Sequence, residues 1–187
     1  MITPPERSPA RDAAILAALP HVADLGWAPQ ALAAAVPGIN LLFPGGAADL
    51  VEAYIDLMDR RMVENAAAHL PAQRLSQRVR TLIATRLSLA AAEKPAVRRA
   101  ALLLANPLHA GLAARCTART VDAIWHAAGD TSADFSWYTK RAILAGVYGS
   151  TLFYWMNDST SMEAALAFLD RRLAGVARIG KIRARFA

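Results

Sequence analysis

Asp122 and His126 stand four residues apart in a stretch with helical spacing, so both side chains would share one face. A carboxylate and an imidazole so placed can fill two positions around one metal ion. A zinc or di-iron site needs more ligands than that, and His21, His69 and His109 are remote in sequence. The pair therefore reads as an ordinary helix-surface pair, and no metal is expected. Cys116 has only Arg115 and Arg119 near it, a common arrangement on an alanine-rich helix. As the sole cysteine it can form no internal disulfide, which fits a reducing compartment, and its expected role is a small core residue. G-x-G-x-x-G does not occur, and the G-x-x-x-x-G-K match at Gly175–Lys181 is followed by Ile182 where a phosphate-binding loop has Ser or Thr, so no phosphate cradle is expected. These residues argue for binding, not catalysis, and no cofactor is expected.

The elements that would position such a binding site are helices. Apolar residues make up 55% of the 187 and charged ones 19%, with alanine abundant. Alanine loses no side-chain entropy in a helix. Alternating strand patterns and Asn-Gly or Asp-Gly hairpin turns are missing. Breakers divide the chain into about eight or nine helices. One covers 10–25 and ends at Gly26, and a short one covers 28–36. Residues 37–46, PGINLLFPGG, read as a tight apolar connector. Long helices follow over 47–69, stopped by Pro71, and over 73–93, with the next begun by Pro95. Asn106-Pro107 breaks that one, because a residue before proline avoids helical angles. A helix over 107–128 ends at Gly129, then a turn at 130–133 leads to Asp134 as N-cap. An aromatic helix runs to about Asn157, and Ser159-Thr160-Ser161 starts the last. The expected fold class is all-α, with a small N-terminal unit over 1–56 and a larger bundle over 57–187.

The stretch DFSWYTKRAILAGVYGSTLFYW, residues 134–155, concentrates Trp137, Tyr138, Tyr148, Phe153, Tyr154 and Trp155. Ala142, Ala145, Gly146, Gly149 and Ser150 form a stripe of small residues between them. Such a stripe lets another backbone come close or leaves room for a ligand. A tightly packed core helix is the plainer reading for the C-terminal half. Trp, Tyr and Arg dominate interface hot spots. Trp137 and Tyr138, with Arg141 beside them, are therefore the expected surface anchors.

The order AILAALPHVADLGWAPQALAAAVPGINLLFPGGAADLVEAYID resembles the helix-turn-helix head of tetracycline-repressor-like proteins, through Gly26, Leu32-Ala33, Phe43 and the helix from Asp49. Its charge departs from a DNA reader. From Asp12 to Asp59 there is no Lys or Arg, against Asp12, Asp24, Asp49, Glu52, Asp56 and Asp59. Duplex affinity comes mainly from cations on phosphates, so an acidic head is expected to repel DNA.

The aromatic stretch, continued by MNDS and FLDRRLAGV, together with HVADLGW, resembles the signature of the Coq-nine family, lipid-binding accessory proteins of ubiquinone biosynthesis. The resemblance implies a tetracycline-repressor-like bundle whose N-terminal helix-turn-helix unit is degenerate. It implies a homodimer that binds an isoprenoid or other lipid, such as a polyprenyl quinone precursor, and presents it to the demethoxyubiquinone hydroxylase. It puts Trp137, Tyr138 and Arg141 in the partner-binding patch. Lining residues for the lipid, chosen on apolar character, are Leu103, Leu104, Trp125, Phe153 and Met156. The rival reading is a transcriptional regulator of the tetracycline-repressor family with an apolar ligand pocket.

The net charge of +6 lies at the end of the chain. The segment from Arg171 to Ala187 holds six of the 21 Lys and Arg and none of the 15 acids. Leu166, Leu169, Leu173, Val176, Ile179, Ile182 and Phe186 recur at spacings of three and four. A basic amphipathic helix of this kind either lies on an anionic membrane, at about 1 kcal/mol per cation, or packs on the bundle with a solvated face. Arg178, Lys181, Arg183, Arg185 and Phe186 are the expected membrane contacts. No apolar run reaches the ~18 residues of a membrane span, and MITPPERSPARD has no apolar core after a basic start. The expected location is cytoplasmic, peripheral at the inner membrane in the first case.

Overall fold

The computed structural model describes residues 3–130, 136–157 and 159–186, with side chains as far as Val176 apart from those of Ser136 and Trp137. The described residues form nine α-helices and two single 3-10 turns, with no strand. The helices are α1 (Pro9–Leu25), α2 (Pro29–Leu32), α3 (Ile39–Leu42), α4 (Gly46–Ala66), α5 (Leu75–Leu89), α6 (Lys94–Leu104), α7 (Ala110–Ala128), α8 (Ser136–Trp155) and α9 (Met162–Phe186). The all-α expectation holds.

Local chemistry sets the boundaries. The Ser8 hydroxyl accepts from the Arg11 amide at 3.2 Å, which caps the start of α1. Gly26, at φ 77°, closes that helix by donating its N–H to Val22 O. The short helix expected over 28–36 is helical only over Pro29–Leu32. The connector expected over 37–46 contains one turn of helix, α3, entered through Gly38 in the left-handed conformation at φ 83°. The Asp134 cap and the 130–133 turn fall on residues 131–135, outside the described residues but for Asp130.

The chain divides into two compact units. The first is Met1–Arg61 with Leu89–Thr120, and the second is Met62–Ser88 with Val121–Ala187. In the first, α1 packs on α2, α3 and α6. Trp27 is buried there, donates its indole N–H to Ala96 O at 3.0 Å, and lies 4.8 Å from the Tyr54 ring. This explains why the HVADLGW segment ends in a tryptophan: it ties the α1–α2 corner to α6.

Polar side chains also hold this unit together. Arg11 is buried, bonds Leu42 O at 2.5 Å and Asp49 at 2.6 Å, and sits 4.2 Å over the Phe43 ring. Asp56, also buried, receives Arg7 and Arg60, and Arg60 reaches Asp12 at 2.7 Å. Glu52 pairs with Arg119 at 2.8 Å, and Asp59 accepts from the Thr120 hydroxyl at 2.7 Å. The hydrogen bonds that Arg7 donates to Asp56 and Arg60 to Asp12 raise the pKa of each arginine. The acidic head of the sequence reading is thus corrected in character. Asp12, Asp49 and Asp56 are engaged by Arg7, Arg11 and Arg60, just outside the 12–59 window, and Glu52 by Arg119, so these four do not form a bare repelling face.

In the second unit α8 packs on α9, joined through a short turn in a helical hairpin. The Tyr154 and Phe168 rings stack at 4.6 Å, 14° from parallel. Arg80 of α5 grips Asp170 of α9 through two bonds of 2.6 and 3.0 Å.

Candidate ligand and partner site

Helix α8 is apolar nearly all round, and its two faces have different fates. Leu144, Val147, Tyr148, Thr151 and Trp155 are buried. Tyr138, Ala142, Ile143, Gly146, Gly149, Phe153 and Tyr154 are exposed. Tyr138 is 70% and Phe153 77% exposed, at the two ends of the outer face. The small-residue stripe lies largely on that face. A methyl group added at Gly146 or Gly149 would meet nothing within 4 Å. Among the described residues, then, Gly146 and Gly149 do not serve close packing.

The start of α8 is fixed to the end of α7. Arg141 donates from Nε at 3.0 Å and from Nη2 at 2.6 Å to Asp122 Oδ1. Lys140 bonds Asp130 at 3.1 Å. Arg78 bridges Gln73 O and Ala128 O at 2.9 and 3.1 Å, satisfying a carbonyl at the C-terminus of α7. Gly129 follows at φ 83°, with Arg78 Nη1 only 3.1 Å from where a Cβ would be. These contacts bracket the residues from which Tyr138 projects.

The partner residues named from the sequence therefore separate. Tyr138 is a surface side chain. Trp137 is within α8, and its side chain lies outside the described set. Arg141 is only 17% exposed and is engaged by Asp122, so its first role is within the chain. Sequence spacing paired Asp122 with His126. The actual ion pair spans 19 positions and joins two helices, while His126 is exposed. No group of three His, Cys, Asp or Glu able to hold a metal occurs among the described residues.

The five residues named as lipid lining also divide. Leu103 and Leu104 belong to the first unit and are half-buried. Trp125, Phe153 and Met156 belong to the second. Phe153 stands on the outer face of α8, because it is offset from Trp155 by two positions, a little over half a helical turn. Trp125 is half-buried, and its indole N–H is enclosed without an acceptor among the described residues. Leaving such a donor unpaired costs about 1–3 kcal/mol. An acceptor oxygen supplied by a ligand would recover that. Sequence reasoning chose Trp125 for apolar character alone and had no signal for its missing acceptor.

Cys116 is buried, as expected, and desolvation raises its pKa to about 11 despite Arg119 beside it. It remains a thiol near neutral pH, which makes it a poor nucleophile. The side chains of Arg178, Lys181, Arg183, Arg185 and Phe186 lie outside the described set, while α9 itself runs to Phe186. Leu169 is buried and Leu166, Leu173 and Val176 half-buried, so the apolar stripe faces inward along its described part.

Comparison with known proteins converges on one group. Residues 110–180 match the family model described as COQ9. The chain is 29% identical to the mitochondrial ubiquinone biosynthesis protein COQ9 of Rattus norvegicus, over 89% of this chain and 58% of that protein. It is 31% identical to the mitochondrial ubiquinone biosynthesis protein coq9 of Schizosaccharomyces pombe, over 89% of this chain and 69% of that one. It spans a little over half the length of the vertebrate relatives, 56% for that of Xenopus tropicalis. Among solved structures, a crystal structure described as a TetR transcriptional regulator from Nitrosomonas europaea superposes with a TM-score of 0.73 at 26% identity, covering 91% of this chain and 99% of that one.

Proposed function

This chain belongs to the COQ9 family, with a TetR-like all-α fold, and from that membership we propose that it serves ubiquinone biosynthesis as a non-catalytic lipid-binding accessory protein. Its ligand is an isoprenoid or polyprenyl quinone precursor, which it presents to the demethoxyubiquinone hydroxylase. The observation that carries the ligand half of this reading is the enclosed, acceptor-less indole N–H of Trp125 among apolar helices. A quinone ring offers the carbonyl oxygen that this donor lacks.

The partner half rests on the outer face of α8. Tyr138 projects from a helix start held by two ion pairs, so its position is fixed before any partner arrives. A pre-positioned aromatic side chain loses little freedom on binding. The exposed small stripe of Ala142, Gly146 and Gly149 suits a second copy of the same helix, which supports the homodimer. The relatives are described as mitochondrial. No helix among the described residues is long and apolar enough to cross a membrane. We assign this chain a cytoplasmic location, peripheral at the inner membrane, with Arg178 to Phe186 as the contact.

The experiment is native mass spectrometry of the purified protein, with organic extraction and identification of what co-purifies. A stoichiometric isoprenoid, quinone or other lipid, lost in Trp125→Phe with the melting temperature kept, is the expected result. An empty protein removes the carrier reading. Trp137→Ala with Tyr138→Ala is expected to abolish capture of the hydroxylase while leaving fold and lipid content intact. Unfolding of that variant would place the pair in the core instead.

A second reading, a transcriptional regulator, is favoured by the neighbour from Nitrosomonas europaea. Against it stands α3, a single turn with no basic residue where a reading helix would enter the groove. Salt-dependent binding in a random-sequence DNA screen would revive it.

A further inference from the structure

Two leucines at the corner between α6 and α7 are among the most exposed apolar side chains of the first unit: Leu102 at 73% and Leu108 at 88%. The corner is not a frayed loop. Asn106 accepts from the Leu108 amide at 3.0 Å, and Pro107 fixes the next backbone angle. The amides of Ala105, Asn106 and His109 donate to Ala101 O, Leu103 O and Asn106 O at 2.9, 3.2 and 2.8 Å. Because these donors are already satisfied, the tip can leave water without stranding them.

The segment that makes the corner is basic in sequence. Between Glu93 and Asp122 the sequence contains Lys94, Arg98, Arg99, Arg115 and Arg119 and no acid. Arg119 is taken by Glu52. Arg99 is exposed, bonds the neutral carbonyl of Ala23 at 2.8 Å, and lies three positions before Leu102 on the same face of α6. Arg115 is 53% exposed and forms only a long ion pair, 3.8 Å, with Glu52. It follows Leu108 by seven positions. At 1.5 Å rise per residue, Arg99 sits about 5 Å behind Leu102 along α6.

We propose that the α6–α7 corner is a docking wedge for an anionic lipid surface, with Leu102 and Leu108 entering the boundary between headgroups and acyl chains and Arg99 and Arg115 meeting the phosphates. Interfacial apolar side chains enter about 5–10 Å into the boundary between headgroups and acyl chains, while neighbouring cations meet anionic lipids. A protein partner fits the same corner less well. Two leucines and a proline fall far short of the ~1,200 Å² that a stable interface buries. Side chains this bare also lack the surrounding rim that keeps water from a hot spot. The wedge is separate from the lipid-carrier reading and from the C-terminal helix, and stands whether or not either is right.

The test uses the full-length protein and extruded vesicles of phosphatidylcholine alone or mixed with phosphatidylglycerol, read by flotation. Wild type is expected to float with the mixed vesicles and much less with the neutral ones. Leu102→Ser with Leu108→Ser should lower partitioning at least about tenfold, since each leucine transfers much of its apolar area. The melting temperature should hold, because neither side chain is packed. Arg115→Gln is expected to weaken binding to the anionic vesicles alone. A solvent-sensitive fluorophore attached at Leu108→Cys, with Cys116→Ala, should shift to the blue on those vesicles. Undiminished flotation of the double serine variant, no flotation of wild type, or an unshifted fluorophore each overturns the wedge. So does a halved mass of the serine variant in light scattering, which would make the corner a contact between copies.

Discussion

The two units use the same residue types in opposite ways. In the first, carboxylates along α4 and at Asp12 meet Arg7, Arg11, Arg60 and Arg119, and the polar groups are turned inward as scaffold. In the second, the pairs at Arg141 and Lys140 only fix where α8 begins, while α8 turns Tyr138, Ile143, Phe153 and Tyr154 outward. A head whose charges are consumed internally has little left with which to read phosphates. A helix with aromatics on both faces has a side free for a partner. The difference teaches that the same residue types can serve as internal scaffold in one unit and stand at the surface in the other.

The sharpest way to break this contrast lies within α8. Trp155→Ala empties a fully enclosed site and should cost about 3–5 kcal/mol in urea unfolding. Phe153→Ala, two residues earlier, should change stability by less than about 0.5 kcal/mol. Similar losses at both positions would mean that the outer face is packed after all. Next in size is Arg11→Ala. It should cost about 3 kcal/mol, because Asp49 and Leu42 O lose a buried partner together. A near-neutral result would show that the first unit is held by its apolar contacts alone.

Much of the fold was legible because breakers act locally. Gly26, Pro71, Pro95, Asn106-Pro107 and Gly129 each mark a boundary that the structure keeps. The internal charge pairing was not legible. Arg7 and Asp56 are 49 positions apart, and no local spacing links them. The window from Asp12 to Asp59 looked unbalanced only because its arginine partners lie on both sides of it. The orientation of α8 was equally hidden. With apolar residues all round, periodicity cannot say which side faces out, so Phe153 and Trp155 looked alike. Residue type pointed to Tyr138 as a surface anchor, and the resemblance put it in a partner-binding patch. It could not show that Arg141 is held by Asp122.

A smaller effect concerns Cys116 and tests how closed the first unit is. Burial raises the thiol pKa from 9.0 to about 11. The folded state therefore keeps its proton over a range in which the unfolded chain has lost it. Stability from burying the neutral thiol is complete below pH 9 and is lost as pH rises toward 11. Unfolding free energy should decline across that window in wild type and decline less in Cys116→Ala. Equal slopes, or fast thiol labelling at pH 8, would show that water reaches this residue.

The smallest effect separates the free face of α8 from a covered one. Gly146 is exposed within a helix, and an added methyl meets nothing within 4 Å. Gly146→Ala should therefore stabilise an isolated subunit by about 0.5–1 kcal/mol through helix propensity alone. If a second copy lies against the small stripe, the same methyl holds the backbones apart, and the gain reverses once subunits associate. Unfolding at low and high protein concentration, with light scattering alongside, reads both terms. A gain at low concentration that turns into a loss at high concentration, with weaker association, places the dimer seam on this stripe. An equal gain at both concentrations, with association unchanged, excludes a second copy from the outer face of α8.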